Sequence, residues 1–133
     1  MTLKELFEDV ANKRWFFFYG RKDYQNLIEL EKDVIGLFVE PIVEDPKFNE
    51  YGEATMTYSG RFLLAVHSDV DEEYDYKFET YIKPIKENQL PFILTALQCN
   101  SYKINQFRIL EVINMEDMNV DGKLVSYNLT LID

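Results

Sequence analysis

The chain has 133 residues, enough for one domain with a single buried core, and its 47% hydrophobic content excludes a disordered chain. Its 24 acidic residues outnumber 14 basic ones, and the net charge of -10 opposes direct binding to phosphate backbones and anionic membranes. The single cysteine and single histidine supply neither an internal disulfide nor a zinc-ligand set, which favours a reducing compartment. No stretch approaches the ~20 apolar residues of a membrane span. We expect one domain over residues 1–133.

The first third of the chain predicts a helix followed by two strands. Apolar residues recur at helical spacing over residues 3–10, and Thr2 followed by Glu5 matches a capping box. The aromatic run 15–19 favours an extended, largely buried strand. Residues 34–43 predict a second strand, closed by the acidic, proline-containing segment that follows.

The middle of the chain predicts a long half-exposed strand and then a pair of helices. Apolar and polar side chains alternate over residues 54–67, with a bend or bulge predicted at Gly60. The acidic stretch that follows suits the start of a helix, because negative charge there offsets the helix dipole. This helix is expected to begin near Asp71 and to kink or end at Pro84, and Pro91 suits the first residue of the next helix.

The last third predicts an antiparallel hairpin. Residues 107–113 are rich in strand-forming side chains, Asp121 and Gly122 form a turn signal, and apolar residues alternate with polar ones over 125–131. Strands with helices segregated between them indicate an α+β fold. We therefore expect an antiparallel, β-sandwich-like sheet on which the N-terminal helix and the helical pair pack.

No pattern in the sequence indicates an active site, a cofactor or a metal. The lone His67 ends a predicted strand with no cysteine nearby, so nucleophilic catalysis has no visible base. The acidic segments lack the ligand spacing of an EF-hand, and the five glycines form no phosphate-binding loop. The aromatic run 15–19 has too few flanking cations for a base-stacking groove. We predict a protein that is not an enzyme, with no catalytic, metal-binding or cofactor-binding residues.

Acidic and tyrosine-bearing segments are the candidates for contact with other proteins. Tyr74, Tyr76 and Tyr81 lie around the acidic segment 69–75 and favour a protein interface there, because tyrosine gives a large contact area at low entropic cost.

The order of these elements resembles the tail-terminator and head–tail joining proteins of tailed bacteriophages, including the neck-ring subunits of crAss-like phages. The resemblance rests on the N-terminal helix, the aromatic strand ending at Gly20, strands 34–43 and 54–67, the helix around Pro84 and the C-terminal hairpin. It covers nearly the whole chain as a pattern of elements, without a diagnostic motif.

The resemblance implies a structural virion protein that forms a homomeric ring around the DNA channel of the neck. In such a ring we expect the acidic stretches 40–53 and 69–75 to be loops that either face the channel or dock a neighbouring subunit. The candidate interface or channel-facing residues are Glu44, Asp45, Glu50, Asp69, Asp71, Glu72, Glu73, Tyr74 and Tyr76. It implies assembly in the host cytoplasm, contact with portal and tail proteins, passage of DNA without specific binding, and no membrane contact. Two other interpretations stay open. One is an acidic, DNA-mimicking regulator or inhibitor that binds a basic partner. The other is a small-molecule binder or hydrolase whose pocket is lined by Trp15, His67 and Cys99.

Overall fold

The computed structural model of the chain describes residues 1–12, 14–20, 34–67, 73–115 and 120–132. Its elements, in chain order, are α1 (Leu3–Ala11), β1 (Phe16–Tyr19), β2 (Ile35–Val39), β3 (Val43–Phe48), β4 (Ala54–His67), a long helix α2 over residues 74–99, β5 (Tyr102–Met115) and β6 (Val120–Leu131). The six strands form one sheet in the order β1-β2-β4-β6-β5, and β3 pairs with β4 beyond the end of β2.

The predicted α+β class is confirmed, and the arrangement within it differs from the prediction. The described strands form one open sheet, so the second layer of the fold is helical and is not a second sheet. The sheet is mixed, because β1 runs parallel to β2 while every other pair is antiparallel. One long bent helix replaces the predicted helical pair.

Helix α1 begins at the predicted capping box and buries the predicted face. The Thr2 hydroxyl accepts a hydrogen bond from the Glu5 N–H at 3.1 Å, and the Glu5 carboxylate accepts from the Thr2 N–H at 3.4 Å. These bonds satisfy donors that a helix start leaves unpaired. The apolar residues of this helix lie in the main core, which also holds the inward side chains of α2 and one face of the sheet.

The predicted strand 34–43 is two strands divided by a bulge. Val39 lies opposite Phe62 of β4, whereas Val43 lies opposite Ser59, so three residues of one strand face two of the other. The Arg61 guanidinium holds this irregularity by a two-pronged contact with the Glu40 carboxylate, at 2.7 and 2.9 Å. The extra residue bends the chain and lets it continue as β3. The acidic segment predicted as a loop is therefore partly a strand.

Strand β4 has the predicted bounds and the predicted alternation. Phe62, Leu64 and Val66 lie in the main core under the helices. Leu63 and Ala65 lie on the opposite face, in a smaller cluster with Phe38 and Leu124. The strand pairs with β2 and β3 on one side and with β6 on the other. β4 is thus the central strand of the sheet, whereas β1 is a half-exposed outer strand.

Helix α2 continues through Pro84, where the sequence predicted a kink or an end. It consists of Tyr74–Lys77 and Leu90–Cys99 in α-helical form, with the π-helical segments Phe78–Ile82 and Ile85–Gln89 between them. The Lys83 N–H donates to the Phe78 carbonyl, five residues earlier. A proline has no N–H and clashes with the carbonyl four residues before it, so wider turns accommodate it within a bent helix.

The C-terminal hairpin is confirmed, but its predicted turn is wrong. Asp121 and Gly122 lie inside β6, opposite Val66 and Ala65 of β4. A side chain at Gly122 would place its Cβ 2.2 Å from the Leu64 carbonyl oxygen, so this glycine serves close strand packing. β5 also begins at Tyr102, five residues earlier than predicted.

A buried ion pair fastens the start of α2 to the sheet. The Lys77 ammonium lies 3.4 Å from the Asp121 carboxylate, and both side chains are almost completely buried. A buried charge needs an opposite charge close by, because the protein interior cannot replace its hydration. This requirement explains why Asp121 lies in a strand facing the helix instead of in a solvent-exposed turn.

Removing one partner of this pair is expected to destabilise the fold. Lys77→Met leaves the Asp121 carboxylate buried without that cation, and we expect a loss of about 3–5 kcal/mol in the free energy of unfolding, measured by urea denaturation. The double variant Lys77→Met/Asp121→Asn should lose less than Lys77→Met alone. A Lys77→Met protein as stable as the wild type would contradict a structural role for the pair.

The close approach of Tyr127 to Gly60 allows a second test. The Tyr127 hydroxyl is buried without a hydrogen-bond partner among the described residues, and burial raises the pKa of this phenol. A Cβ added at Gly60 would lie 2.8 Å from that hydroxyl oxygen.

Gly60→Ala should therefore lower the free energy of unfolding by about 1–3 kcal/mol, because the two groups overlap. Tyr127→Phe removes the unpaired hydroxyl and should be neutral or stabilising. In the Tyr127→Phe background, Gly60→Ala should cost clearly less, as a double-mutant cycle in urea denaturation would measure. Strict additivity of the two free-energy changes would show that the Tyr127 hydroxyl does not limit the size of the side chain at position 60.

Candidate functional site

The sheet has an unpaired strand on each side. Among the described residues, β5 pairs only with β6 on one side, whereas on the other side β3 pairs only with β4 and β1 only with β2, and the strands β4 and β6 lie between the two sides. An unpaired strand presents N–H and C=O groups that can bind a strand of another chain. The candidate site is therefore a pair of opposite sheet edges and the side chains along them.

The first edge, here called the acidic edge, comprises β3 and the turn after it, residues 43–53. Four carboxylates and one lysine lie along it, and every residue of β3 is exposed. The carboxylates are those of Glu44, Asp45, Glu50 and Glu53. Two aromatic side chains at the tip, Phe48 and Tyr51, are 68% and 79% exposed. Large apolar groups held in water next to charges are typical of a surface that binds another protein.

Hydrogen bonds order the turn of the acidic edge. The Asn49 side-chain oxygen accepts from the N–H groups of Tyr51 and Glu53, both at 2.9 Å. The Asn49 N–H donates to the Glu53 carbonyl at 3.0 Å. Gly52 adopts a φ of 79°, which costs a glycine little. The hairpin therefore presents its aromatic side chains from a defined backbone.

The second edge, here called the basic edge, is the outer side of β5 over residues 102–112. Lys103 and Arg108 outnumber Glu111, and both cations are exposed. The apolar side chains of Ile109 and Leu110 are also exposed, Leu110 by 58%. The two edges thus carry opposite charge and exposed apolar groups at opposite sides of the same sheet.

The hydrogen-bond pattern determines which backbone groups face outward. In an antiparallel pair, residues alternate between bonding to the partner and pointing away from it. The Asn49 backbone bonds to Glu53 across the β3–β4 turn, so the odd-numbered residues of β3 bond to β4. The backbone groups of the even-numbered residues Glu44, Pro46 and Phe48 therefore point away from β4. Pro46 has no N–H, so this edge has a carbonyl but no donor at its centre. A proline on an outer strand limits uncontrolled strand addition.

The same alternation applies to β5. The Glu40 N–H donates to the Arg61 carbonyl, so the odd-numbered residues of β4 bond toward β2 and the even-numbered ones toward β6. The even-numbered residues of β4 pair with odd-numbered residues of β6, so the even-numbered residues of β6 bond toward β5. Their partners in β5 include Arg108 and Leu110, whose backbone groups therefore bond to β6. Phe107, Ile109 and Glu111 consequently present their N–H and C=O groups outward.

The structure separates the residues that the sequence grouped as candidate contacts. Glu44 and Asp45 lie in β3, and Glu50 lies in its turn. Glu73, Tyr74 and Tyr76 lie exposed at the start of α2, beside β5. Asp69, Asp71 and Glu72 fall outside the described residues. The described candidates therefore belong to two sites on opposite sides of the sheet.

Tyr74 connects the start of α2 to the basic edge. Its hydroxyl donates to the Glu111 carboxylate, with both oxygens at 3.0 Å, and its ring stacks on Phe78 at 6.0 Å between centroids. The hydrogen bond to Glu111 raises the pKa of Tyr74, because a neighbouring carboxylate disfavours the phenolate. Tyr76 contacts Tyr81 edge to face and stays more than half exposed.

The basic edge was missed by the sequence analysis. Residues 107–113 were predicted as one strand of a hairpin, without deciding that β5 ends the sheet. The alternation of Gln106, Arg108 and Leu110 with Phe107 and Ile109 carries no sign of whether a strand is central or outer. The signal that could have helped is the positive charge of Lys103 and Arg108 in a strongly acidic chain.

The described residues give no support to a pocket built from Trp15, His67 and Cys99. The Trp15 indole N–H donates to Gln89 at 3.1 Å and its ring contacts Phe92. Cys99 lies exposed at the end of α2. Within the described ranges, no cluster of three or more His, Cys, Asp or Glu side chains is arranged to hold a metal ion. Among the helices described, none is long and apolar enough to cross a membrane.

The pKa of Tyr74 offers a test of the contact with Glu111. Glu111→Gln removes the negative acceptor, so we expect the pKa of Tyr74 to fall toward the ordinary tyrosine value. An NMR titration that follows the Tyr74 ring carbons would measure the change. Asp75→Asn is the matched control, because the Asp75 charge contributes less to the raised pKa. An unchanged pKa in Glu111→Gln would contradict the hydrogen bond.

Comparison with models of known protein families gave no match, and a search of curated proteins found none with a similar sequence.

Proposed function

We propose that this chain is a structural subunit that assembles into a closed homomeric ring at the head–tail junction of a tailed bacteriophage, as a tail terminator or neck connector. The observation that carries the proposal is the pair of unpaired, oppositely charged edges on the two sides of one sheet. In this role the protein performs no catalysis, and it contacts copies of itself, portal proteins and tail proteins.

Opposite edges favour a head-to-tail contact. Two acidic edges repel each other, and so do two basic edges, whereas an acidic edge attracts a basic one. A contact between two different surfaces of one subunit repeats along the assembly and ends only when rotation closes a ring. Charge complementarity at the two edges therefore supports a cyclic assembly over a twofold dimer.

The overall charge suits a ring around DNA. With a net charge of -10, the subunit repels a phosphate backbone, so DNA can pass through a central channel without adhering. The order of elements supports the neck location. The chain has an N-terminal helix, a long bent helix and a C-terminal hairpin, and this order resembles that of phage neck proteins. Virion assembly in the host cytoplasm is part of this proposal.

The mass of the purified protein in solution tests the ring. Light scattering behind a sizing column, over a concentration series, should give a discrete multiple of 15.8 kDa. Raising the salt concentration should favour smaller species, because salt screens attraction between exposed charges. Electron microscopy of the large species should show closed rings with a central channel. A mass of 15.8 kDa at every concentration would contradict the ring and favour an acidic inhibitor.

The location in the particle needs its own test. An antiserum against the chain, applied to tailed particles that encode it, should label the junction between head and tail. Purified particles that lack the chain would exclude a virion role. Labelling of the tail tip or the head surface would place the ring elsewhere in the particle.

A further inference from the structure

We propose that β5 of one copy pairs antiparallel with β3 of the next copy, with Arg108 opposite Asp45 and Leu110 opposite Val43. The inference rests on the proposed ring and names its subunit contact. The occupant of each edge is a second copy of this chain, and charge complementarity between the acidic and basic edges is the argument for that occupant.

Strand directions permit this contact. β5 and β4 both run antiparallel to β6 and therefore point the same way, whereas β3 runs antiparallel to β4. Rotation about an axis along the strands keeps each strand's direction. The β3 of a neighbouring copy therefore arrives antiparallel to β5 and extends the sheet in its prevailing pattern.

The side chains of the proposed pairs lie on the same face of the sheet. Through the strand register, Leu110 lies in one row with Leu124 and Leu63, on the face opposite the helices. Val43 and Asp45 lie opposite Ser59 and Thr57, which share that face because they are an even number of residues from Leu63. Val43 and Leu110, both more than half exposed, would cover each other in the contact.

The outward backbone groups match in this register. Glu44 comes opposite Ile109, and each offers an N–H and a C=O to the other. Pro46 comes opposite Phe107, whose N–H donates to the Pro46 carbonyl. The proline lacks the reciprocal donor, so the contact gains three of the four bonds that these two residue pairs could form.

Neighbouring registers are less favourable. A shift of two residues in one direction places Glu44 opposite Glu111, and like charges directly opposite each other destabilise a strand pair. A shift in the other direction places Asp45 opposite Gln106 and Val43 opposite Arg108. Of these three registers, only the proposed one sets an acid against a base and an apolar residue against an apolar one.

Charge reversal with rescue tests the contact. Asp45→Arg and Arg108→Asp should each raise the protein concentration needed for assembly by about tenfold or more, since like charges then meet at the interface. The double variant should restore assembly. Lys86→Asp is the matched control, because this exposed lysine lies in α2, outside the proposed strand pair, and should not rescue Asp45→Arg. Urea denaturation should show that these exposed substitutions leave the monomer folded.

Disulfide cross-linking between two cysteine variants tests the register independently. In a Cys99→Ser background, Val43→Cys protein mixed with Leu110→Cys protein should form disulfide-linked dimers under mild oxidation, because this pair is of the closer, non-hydrogen-bonded type. Glu44→Cys mixed with Leu110→Cys should not, since the two side chains lie on opposite faces.

The outcomes separate the two proposals. Wild-type rings whose assembly ignores the charge reversals, and whose cysteine pair stays unlinked, would overturn this contact and leave the ring intact. A wild-type protein that is monomeric at every concentration would overturn the ring and the contact together. Rescue by the double variant with a specific disulfide would support both.

Discussion

An open sheet must end on both sides in strands whose outer N–H and C=O groups lack partners, and this constraint governs the whole molecule. The described chain covers one face of its sheet with two helices but leaves β5 unpaired on one side and β1 and β3 unpaired on the other. Water can hydrate such groups, yet a second strand can bind them more specifically. In the proposed ring, the opposite charges of the two edges determine which edge contacts which.

Other features of the fold hold these two edges in place. The bulge fastened by Glu40 and Arg61 lets the chain leave β2 and continue as β3 along β4. The buried pair of Lys77 and Asp121 holds the start of α2 against β6, next to β5. The Lys77–Asp121 pair lies in the core, where an unmatched charge is costly, whereas the Glu40–Arg61 pair is partly exposed. The edges are therefore presented by a framework that is specified in its interior.

Local signals predicted much of the fold. The capping box of α1 and the alternation of β4 depend on neighbouring residues alone, and both are confirmed. The errors arise where distant partners decide the outcome. Asp121 and Gly122 resemble a turn, but a lysine from α2 and the backbone of β4 make them part of a strand. β3 was missed because an outer strand exposed on both faces has no alternation of apolar and polar residues.

In the candidate site, too, local features were predicted and features that depend on distant strands were not. Glu44, Asp45 and Tyr74 were singled out from charge and residue type, and all three lie exposed at the sheet edges or beside them. The basic edge on β5 was not singled out, because only the strand order shows that β5 is an outer strand. Whether a strand is central or outer depends on which other strands pair with it, and the residues of that strand alone do not determine this.

Hydrogen exchange of individual backbone amides tests the central claim most directly, because it reports whether the edges are paired in the assembled protein. The N–H groups of Phe107, Ile109 and Glu44 should exchange slowly in the assembly and quickly in the dissociated subunit, while the central amides of β4 stay protected in both. Equally fast exchange of these edge amides in the assembled and dissociated protein would contradict pairing of the sheet edges.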